Sequence, residues 1–331
     1  MTNAVILGGG PAGAAAAITL LQAQVPVTII ERQPFPRYRP GETLHPGIEP
    51  LLNQLGAAEC LHTAEYIRHP GVWSAWGEPI HFVPYGEDSN GPWRGFQATR
   101  GDFDRRLLES ACHRGATLIE ADALGVLRNS FGDVTGVMTS SGPLTATYVI
   151  DCSGGSHMLA RQLQIPIVRH SPRLVARFGY VNGKFDGPAP AISADETGWT
   201  WIAEVEPNRF QWTRVTEAHN RPDSQWLPAG LGALEAEPSR GADVTWRMAE
   251  KVAGPGWFLA GDSAVVLDPS SSHGVLRAIM SGMMAAHLAA ANHCIAAEAY
   301  QEWLSAWFQH DVEAMSSAYR MANLFGFSSV P

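Results

Sequence analysis

Residues 4–33, AVILGGGPAGAAAAITLLQAQVPVTIIERQ, restrict the possible fold of this chain more than any other segment. Four apolar residues, Ala4 to Leu7, precede three glycines in the spacing G-x-G-x-x-G, and an alanine-rich stretch follows. A second apolar run, Val25 to Ile30, ends at Glu31. This order predicts a strand, a tight turn, a helix and a parallel strand, which together form the first unit of a Rossmann-like sheet.

The glycines and the acid of this unit are typical of a dinucleotide site. Gly8 permits the tight turn, Gly10 lets the backbone approach a diphosphate, and Gly13 allows the helix to lie close to the sheet. The start of the helix directs free N–H groups and a positive dipole at the phosphates, and Glu31 can accept both hydrogen bonds from the two hydroxyls of an adenosine ribose. The residues expected to bind the dinucleotide here are Gly8, Gly10, Pro11, Ala12, Gly13, Glu31 and Arg32.

A second segment indicates which dinucleotide is expected. The run GDSAVVLDPSSSHGVLRA, residues 261–278, follows an apolar strand, WFLA, at residues 257–260. Asp262 then lies at the carboxyl end of a parallel strand, where it can bind a ribityl hydroxyl. The loop after it leads into a helix whose first N–H groups suit a pyrimidine carbonyl and the negative charge of a reduced flavin. NAD enzymes need no such element, so the sequence predicts FAD. Its expected contacts are Gly261, Asp262, Pro269, Ser272, His273, Gly274 and Val275.

These two segments, together with DCSGGSHMLARQL at residues 151–163, resemble motifs of the flavoprotein hydroxylases with the p-hydroxybenzoate-hydroxylase fold. That superfamily includes the flavin-dependent halogenases and the geranylgeranyl reductases. The resemblance implies an α/β protein with a Rossmann-like FAD-binding domain of the GR2 type and an antiparallel β-sheet substrate domain. It also implies that Arg100, at the start of a helix, contacts the FAD and that Arg37 or Arg39 approaches its diphosphate.

The same resemblance predicts a division into two domains. The expected FAD-binding domain is discontinuous and comprises residues 1–65, 95–160 and 250–331. The expected substrate domain is a mostly antiparallel sheet over the flavin, built from residues 66–94 and 161–249. Further expectations are a meander over residues 123–147, a loop or lid over 222–241 and a helix over 299–327.

Three chemistries share this scaffold, and the sequence favours oxygenation over halogenation. Halogenases carry a lysine after the G-E-[ST] segment, whereas the two lysines of this chain are Lys184 and Lys251. Tryptophan halogenases also carry a glutamate where this chain has Ser271. The stretch GWTW, residues 198–201, is nevertheless similar to the halogenase W-x-W signature.

Two further stretches, RPGETLHPG at residues 39–47 and SSHGVLRAIMSGM at 271–283, resemble most closely the LodB-like flavoproteins of quinone-cofactor maturation. Those proteins oxygenate a tryptophan in a partner protein. The resemblance implies an FAD-dependent monooxygenase that acts on an aromatic substrate, tryptophan or indole, through a flavin hydroperoxide. The substrate is either a free molecule or a tryptophan carried by a partner protein. A geranylgeranyl-type flavin reductase, a flavin-dependent halogenase and a non-catalytic flavin-binding maturation factor remain open alternatives.

Four side chains near the expected flavin are candidates for catalysis. His273 can donate a hydrogen bond or transfer a proton, and Ser272 precedes it. Glu42 and His45 lie in the segment after the second strand, and Glu42 equally suits a structural role. Aromatic residues of the substrate region can stack on an indole or phenol. The tryptophans expected there are Trp73, Trp76, Trp93, Trp199, Trp201, Trp212 and Trp226.

The amino-acid composition limits the possible binding partners and the cellular compartment of the protein. The net charge of −9 argues against nucleic acid as a partner. Four separated cysteines, Cys60, Cys112, Cys152 and Cys294, indicate reduced thiols rather than a disulfide framework or a zinc site, and no metal is expected. Polar residues interrupt the apolar stretch at 275–297, so we expect a cytoplasmic protein without a membrane span. Because no second dinucleotide motif is present, NAD(P)H must bind transiently or a separate flavin reductase must supply electrons.

Overall fold

The computed structural model describes residues 2–62, 65–291 and 296–325. Within these ranges the helices are α1 Pro11–Gln22, α2 Ile48–Leu55, α3 Glu59–His62, α4 Arg100–His113, α5 Met158–Gln162, α6 Gly274–Ala291 and α7 Ala296–Met321. The strands up to residue 151 are β1 Ala4–Leu7, β2 Val27–Glu31, β3 Thr43–Leu44, β4 Ile67–His69, β5 Gly71–Ala75, β6 His81–Pro84, β7 Glu87–Asp88, β8 Gly91–Pro92, β9 Gly95–Gln97, β10 Thr117–Glu120, β11 Ala123–Arg128, β12 Val134–Thr139, β13 Gly142–Thr145 and β14 Tyr148–Asp151. The later strands are β15 Ile167–Arg169, β16 Leu174–Asn182, β17 Ala191–Asp195, β18 Gly198–Glu206, β19 Arg209–Glu217, β20 Glu235–Ala236, β21 Arg240–Asp243, β22 Arg247–Ala249, β23 Ala253–Gly254, β24 Trp257–Leu259 and β25 Val265–Val266.

A six-stranded sheet contains the N-terminal unit, in the order β10-β2-β1-β14-β24-β23. The strands from β10 to β24 run parallel, and β23 joins antiparallel. The register pairs Leu7 with Ile30 and Asp151, and Asp151 with Leu259. The carboxyl ends of these strands therefore meet at one edge, which is where open α/β sheets bind ligands.

Helices α1 and α6 pack directly on each other beside this sheet. A Cβ atom at Gly282 would lie 2.2 Å from the carbonyl oxygen of Ala12, so only glycine permits this approach. The buried face of α6 includes Val275, Ile279 and Met283. By length and composition α6 is the one described helix that meets the requirements for a membrane span, but a buried core helix meets the same requirements.

An eight-stranded sheet lies over the same crevice, in the order β20-β16-β19-β18-β17-β5-β6, with β21 also paired to β16. All its pairs are antiparallel except β17 with β5, as the expectation of a mostly antiparallel sheet requires. Phe178, Thr213 and Trp201 are paired across β16, β19 and β18 and share the face that points to the crevice.

The other face of this sheet is partly covered by the segment expected to form a lid. Trp212 and Phe210 pack there with Leu231, which is fully buried, and with Trp226 and Leu227. Residues 222–241 also contain β20 and the start of β21, so this segment is partly a packed component of the sheet rather than a free loop.

The smaller sheets connect the regions assigned to the two expected domains. The meander β11-β12-β13 is present as predicted. The sheets β3-β9-β4 and β15-β22-β25 each join strands from both expected domains, so the domain boundaries remain a prediction. Cys60, Cys112 and Cys152 are free thiols, and Cys294 lies outside the described residues.

Candidate active site

A cavity of about 530 Å³ lies at the carboxyl edge of the parallel sheet and reaches the crevice face of the eight-stranded sheet. Ligand sites typically enclose about 300–1,000 Å³. All but two of the residues expected to bind FAD line this cavity. The two exceptions are Gly13, which packs beneath the glycine turn, and His273.

The glycine turn leaves space for a ligand at one position only. Gly8 has φ +100°, and a Cβ there would lie 2.4 Å from the carbonyl oxygen of Cys152. A Cβ at Gly13 would lie 1.9 Å from the carbonyl oxygen of Gly8. At Gly10, by contrast, the nearest atom is Nη2 of Arg37 at 3.1 Å, the flexible end of a side chain. Gly10 precedes α1, whose first N–H groups have no acceptor within the helix and therefore suit a phosphate.

Glu31 is buried and already has protein partners. Its Oε2 accepts hydrogen bonds from the N–H of Gly9 at 2.8 Å and from Nη1 of Arg37 at 2.9 Å. Its Oε1 accepts one from the N–H of Gln33 at 3.0 Å. A carboxylate oxygen accepts about two hydrogen bonds, so Oε1 retains capacity for one ribose hydroxyl rather than the two expected from the sequence.

Several arginines line the cavity, and they differ in their ion-pair partners and in their exposure. Arg100 forms a two-pronged ion pair with Asp104, at 2.8 and 3.0 Å, and donates to the carbonyl of Pro40 at 3.3 Å. Burial alone would lower the pKa of Arg100, but Asp104 raises it above its usual value. Arg39 is exposed overall, and its pKa is lowered mainly by partial desolvation of the guanidinium and then by the charge of Arg37. Arg32 is exposed at the same cavity wall.

The loop before α6 offers fewer N–H donors than the sequence indicated. Ser272, with φ +53°, donates its N–H to the carbonyl of Pro269 at 3.0 Å. The N–H of His273 donates to Oγ of Ser271 at 3.4 Å. The N–H groups of Gly274 and Val275, in the first turn of α6, remain for a ligand, and both residues line the cavity. Gly261 (φ +63°) and Asp262 line the same cavity at the end of β24, as does Pro269.

A buried network behind the cavity wall was not expected from the sequence. Asp268 accepts hydrogen bonds from the hydroxyl of Tyr319, from Nε1 of Trp246 at 3.2 Å and from the N–H of Ser270 at 2.8 Å. The hydroxyl of Tyr319 in turn accepts from Nε1 of Trp199 at 2.6 Å. Burial raises the pKa of Asp268 above its usual value. Because Asp268 and Trp199 line the cavity, this network fixes part of its wall.

Two of the four catalytic candidates, Glu42 and Ser272, line the cavity. Glu42 is buried, and its carboxylate accepts hydrogen bonds from the hydroxyl of Tyr180 and from the N–H of Gly41 at 2.9 Å. Burial raises its pKa. Tyr180 is paired with Gln211 on the crevice face of the sheet, a partner for Glu42 that no local sequence pattern identified.

The other two candidates, His45 and His273, lie beside the cavity but do not line it. Their rings meet edge to face with centroids 4.9 Å apart, and Nδ1 of His45 accepts from the N–H of Gly47 at 3.0 Å. Burial is the main cause that lowers the pKa of His273, to about 4, and the charge of nearby His45 is the second cause. His273 is therefore neutral near pH 7.

The seven tryptophans separate into distinct environments. Trp199 and Trp201 line the cavity beside Phe178, where they form an aromatic wall. Trp212 and Trp226 pack on the opposite face of the sheet, so they do not cover a ligand in the crevice. Of the three in the β5–β8 region, Trp73 and Trp93 are exposed, and Trp76 packs edge to face on Tyr319 with ring centroids 5.4 Å apart.

The site fits FAD on its own geometry. Gly10 leaves space for a diphosphate, the first turn of α1 faces it, and the cavity continues to the N-terminus of α6 and the aromatic wall. The family model described as an FAD binding domain matches residues 1–226, about two thirds of the chain. The chain belongs to the FAD-binding domain family. The predicted FAD-binding fold is thereby confirmed.

Curated relatives agree with this membership. A tryptophan 2-halogenase from Chondromyces crocatus is 27% identical over 86% of this chain and 60% of its own length. A menaquinone reductase from Mycolicibacterium smegmatis is 26% identical over 97% of this chain and 84% of its own. The expected relationship to flavin-dependent halogenases and monooxygenases is confirmed, and the halogenases are more prominent among the relatives than the sequence motifs suggested.

Solved structures show the same fold. The flavin-dependent halogenase CmlS superposes with a TM-score of 0.85 at 26% identity, over 98% of this chain and 66% of the other. The peptidyl tryptophan dihydroxylase QhpG superposes with a TM-score of 0.76 at 20% identity, over 97% of this chain and 75% of the other, which shows a shared fold. The chain spans slightly less than two thirds of the tryptophan 2-halogenase and of CmlS.

Proposed function

We propose that this chain is an FAD-dependent monooxygenase that oxygenates an aromatic substrate of the tryptophan or indole class. The cavity supports this proposal because it combines a dinucleotide site with an aromatic wall of Phe178, Trp199 and Trp201. Flat aromatic side chains stack on aromatic ligands with offset or edge-to-face geometry. The name of QhpG, a peptidyl tryptophan dihydroxylase of the same fold, is consistent with such a substrate.

Each part of the chain has a defined task in this proposal. Gly10 and the first turn of α1 hold the diphosphate, and Oε1 of Glu31 accepts one ribose hydroxyl. The N–H groups of Gly274 and Val275 stabilise negative charge on the flavin ring. Bound FAD supplies two-electron redox chemistry with dioxygen. The buried surroundings of the aromatic wall exclude water from the reacting atoms.

One observation favours oxygenation over halogenation, namely the position of the lysines. The Lys184 side chain is 82% exposed and paired with Asp186 at 3.1 Å. Lys251 is also exposed, and neither lysine lines the cavity. The resemblance that identified the superfamily implies that a halogenase uses a lysine to deliver hypohalous acid. This cavity presents arginines instead, which remain protonated and are poor nucleophiles.

Flavin-dependent halogenation is the second candidate function. The specific observation in its favour is that the tryptophan 2-halogenase and several further relatives are named as halogenases. A halogenase with this sequence would have to deliver hypohalous acid without a lysine in the cavity.

A single reaction separates the two functions. The FAD-loaded protein is supplied with a chemical reductant, dioxygen, bromide and an indole or tryptophan peptide, and the products are analysed by mass spectrometry. Oxygenation predicts a product that gains an oxygen atom with or without bromide. A brominated product that requires bromide would assign the second function, and the absence of both products would contradict both functions. Anaerobic hydrogenation of an isoprenoid double bond would instead identify a reductase.

The electron source, the partner and the compartment belong to the same proposal. NAD(P)H or a separate flavin reductase reduces the FAD, and a tryptophan in a partner protein is the favoured form of the substrate. We retain a cytoplasmic location as a prediction. Stopped-flow absorbance at the flavin band, with NADH, NADPH and a reductase compared, identifies the reductant.

A further inference from the structure

An exposed aromatic surface lies on the β5–β6 and β7–β8 hairpins, away from the residues that line the cavity. We define the hairpin patch as Trp73 and Phe82 together with Ile80 and Trp93 of the same hairpins; the exposed fractions of Trp73, Phe82, Ile80 and Trp93 are 38, 39, 51 and 47%. The rings of Trp73 and Phe82 meet edge to face with centroids 5.4 Å apart. Large apolar side chains that are exposed together, rather than singly, mark interaction sites.

The strand register explains why part of this patch is uncovered. Phe82 pairs with Trp73, Trp73 with Ala191, Ala191 with Ile202 and Ile202 with Trp212. Paired residues share a face, so this row from Phe82 to Trp212 lies on the outer face of the eight-stranded sheet. Near Trp212 this face is covered by side chains of residues 226–234. At β5 and β6 the same face is exposed among the described residues, and β6 ends the sheet.

The charge of this region indicates what kind of molecule suits it. Residues 69–93 contain no lysine or arginine, but they contain three acids, Glu78, Glu87 and Asp88. All three acids are exposed. Arg94, which follows Trp93, is exposed as well, so the acids of these two hairpins outnumber the basic residues by three to one. A second copy of this chain would bring like charges together, which disfavours self-association through this face. A cationic partner would gain ion pairs with the acids and cation–π contacts with the indole rings.

We propose that the hairpin patch binds a lysine- or arginine-rich segment of a polypeptide. Trp76, which follows β5, packs on Tyr319, and the hydroxyl of Tyr319 accepts a hydrogen bond from Trp199 in the cavity wall, so the end of β5 lies near the cavity. The inference deepens the proposed function, since it specifies the chemistry by which a protein-borne substrate is recruited.

The direct test measures peptide binding to the FAD-loaded full chain. A rhodamine-labelled peptide of alternating lysine and leucine is the probe, and glutamate–leucine and lysine–serine peptides of equal length are compared by fluorescence anisotropy. We expect the lysine–leucine peptide to bind best and its affinity to fall as salt is raised, because exposed charges are screened over about 8–10 Å at 0.10–0.15 M. Equal binding of the glutamate–leucine peptide would overturn the proposal.

Two variants locate the binding. The double substitution W73A/F82A should weaken lysine–leucine binding about tenfold or more, as loss of aromatic anchors does at other interfaces. The charge reversal E78K/E87K should weaken it and improve glutamate–leucine binding. F131A is the matched control, because Phe131 is 90% exposed on a different hairpin. Unchanged affinity in both patch variants, with circular dichroism confirming their fold, would also overturn the proposal.

The remaining outcomes separate this inference from the proposed function. Oxygenation of a small indole by W73A/F82A should remain at the parent rate, because no patch residue lines the cavity. If the small indole is oxygenated but no peptide binds, the docking inference fails alone. If peptide binds but no oxygenated product forms, the proposed function fails alone. Sedimentation that shows a dimer lost in W73A/F82A would assign the patch to a second copy and contradict the cationic partner.

Discussion

Gly10 and Gly13 belong to one motif, yet their substitution should have opposite consequences. A Cβ at Gly13 meets the Gly8 carbonyl at 1.9 Å, whereas a Cβ at Gly10 meets only the end of Arg37. We expect G13A to lower the free energy of unfolding of the FAD-free chain by about 1–3 kcal/mol through overpacking. G10V should change it by less than about 1 kcal/mol but weaken FAD binding at least tenfold. Urea unfolding and quenching of flavin fluorescence measure the two effects, and tight FAD binding by G10V would contradict the site.

Tyr180 should matter to stability through its hydrogen bond to buried Glu42. In Y180F the carboxylate loses its side-chain donor, so we expect a loss of about 1–3 kcal/mol at pH 7. Burial raises the pKa of Glu42, and a protonated carboxyl needs the donor less, so the loss should shrink as the pH falls through the folded pKa. Chemical unfolding at several pH values measures it.

Y85F is the matched control for Y180F. The hydroxyl of Tyr85 is buried and has no hydrogen-bond partner among the described residues. Removing it should leave stability unchanged or slightly higher. An equal loss in Y85F and Y180F would show that packing, rather than the bond to Glu42, causes the effect.

His273 should make the chain sensitive to mild acid. Its pKa is lowered from an ordinary 6.5 to about 4 in the folded state. The unfolded chain therefore takes up a proton below pH 6.5 that the folded chain accepts only near pH 4, and this difference favours unfolding as the pH falls. Between pH 7 and pH 4 the parent should lose on the order of 2–3 kcal/mol more than H273Q. Parallel acid dependence of the two proteins would refute the buried environment of His273.

At the scale of elements, the contact between α1 and α6 positions both ends of the FAD site. In the proposed site the start of α1 faces the diphosphate and the start of α6 faces the flavin. Gly282 allows the two helices to approach closely at the carbonyl of Ala12. We expect G282A to lower the free energy of unfolding by about 1–3 kcal/mol and to weaken FAD binding. G232A is the control, because a Cβ at Gly232 meets no atom within 4 Å. Normal FAD affinity in a destabilised G282A would show that the helices are not coupled through this contact.

At the scale of the whole molecule, the cavity joins the parallel sheet to the crevice face of the eight-stranded sheet. A ligand that fills it should therefore stabilise the entire fold. FAD at about a hundred times its dissociation constant should add about 2.7 kcal/mol to the free energy of unfolding. Thermal unfolding with and without FAD measures this, and G10V should abolish the gain. Stabilisation confined to one of two separate transitions would show that the two sheets unfold independently.

The sequence predicted the part of the fold that depends on local sterics. The glycine spacing, the alanine-rich stretch and the apolar runs identify β1, α1 and β2, and the ends predicted for β1 and β2 lie within two residues of those in the structure. Gly261 and Pro269 were placed on the cavity for the same reason, since a strand end and a turn are set by neighbouring residues. The tryptophans could not be sorted in this way, because which face a strand residue occupies depends on the register with distant strands.

The sequence by itself determined that this chain forms a dinucleotide-binding βαβ unit and carries FAD-type motifs, because those features need only short-range geometry around glycine. The tertiary structure alone decided the partners of the buried polar groups. Glu42 and Tyr180 are 138 residues apart, and Trp199 and Tyr319 are 120 apart. It also placed His273 beside the cavity rather than on its wall. A buried polar group must find a hydrogen-bond partner, but packing selects which one, and no local pattern records that choice.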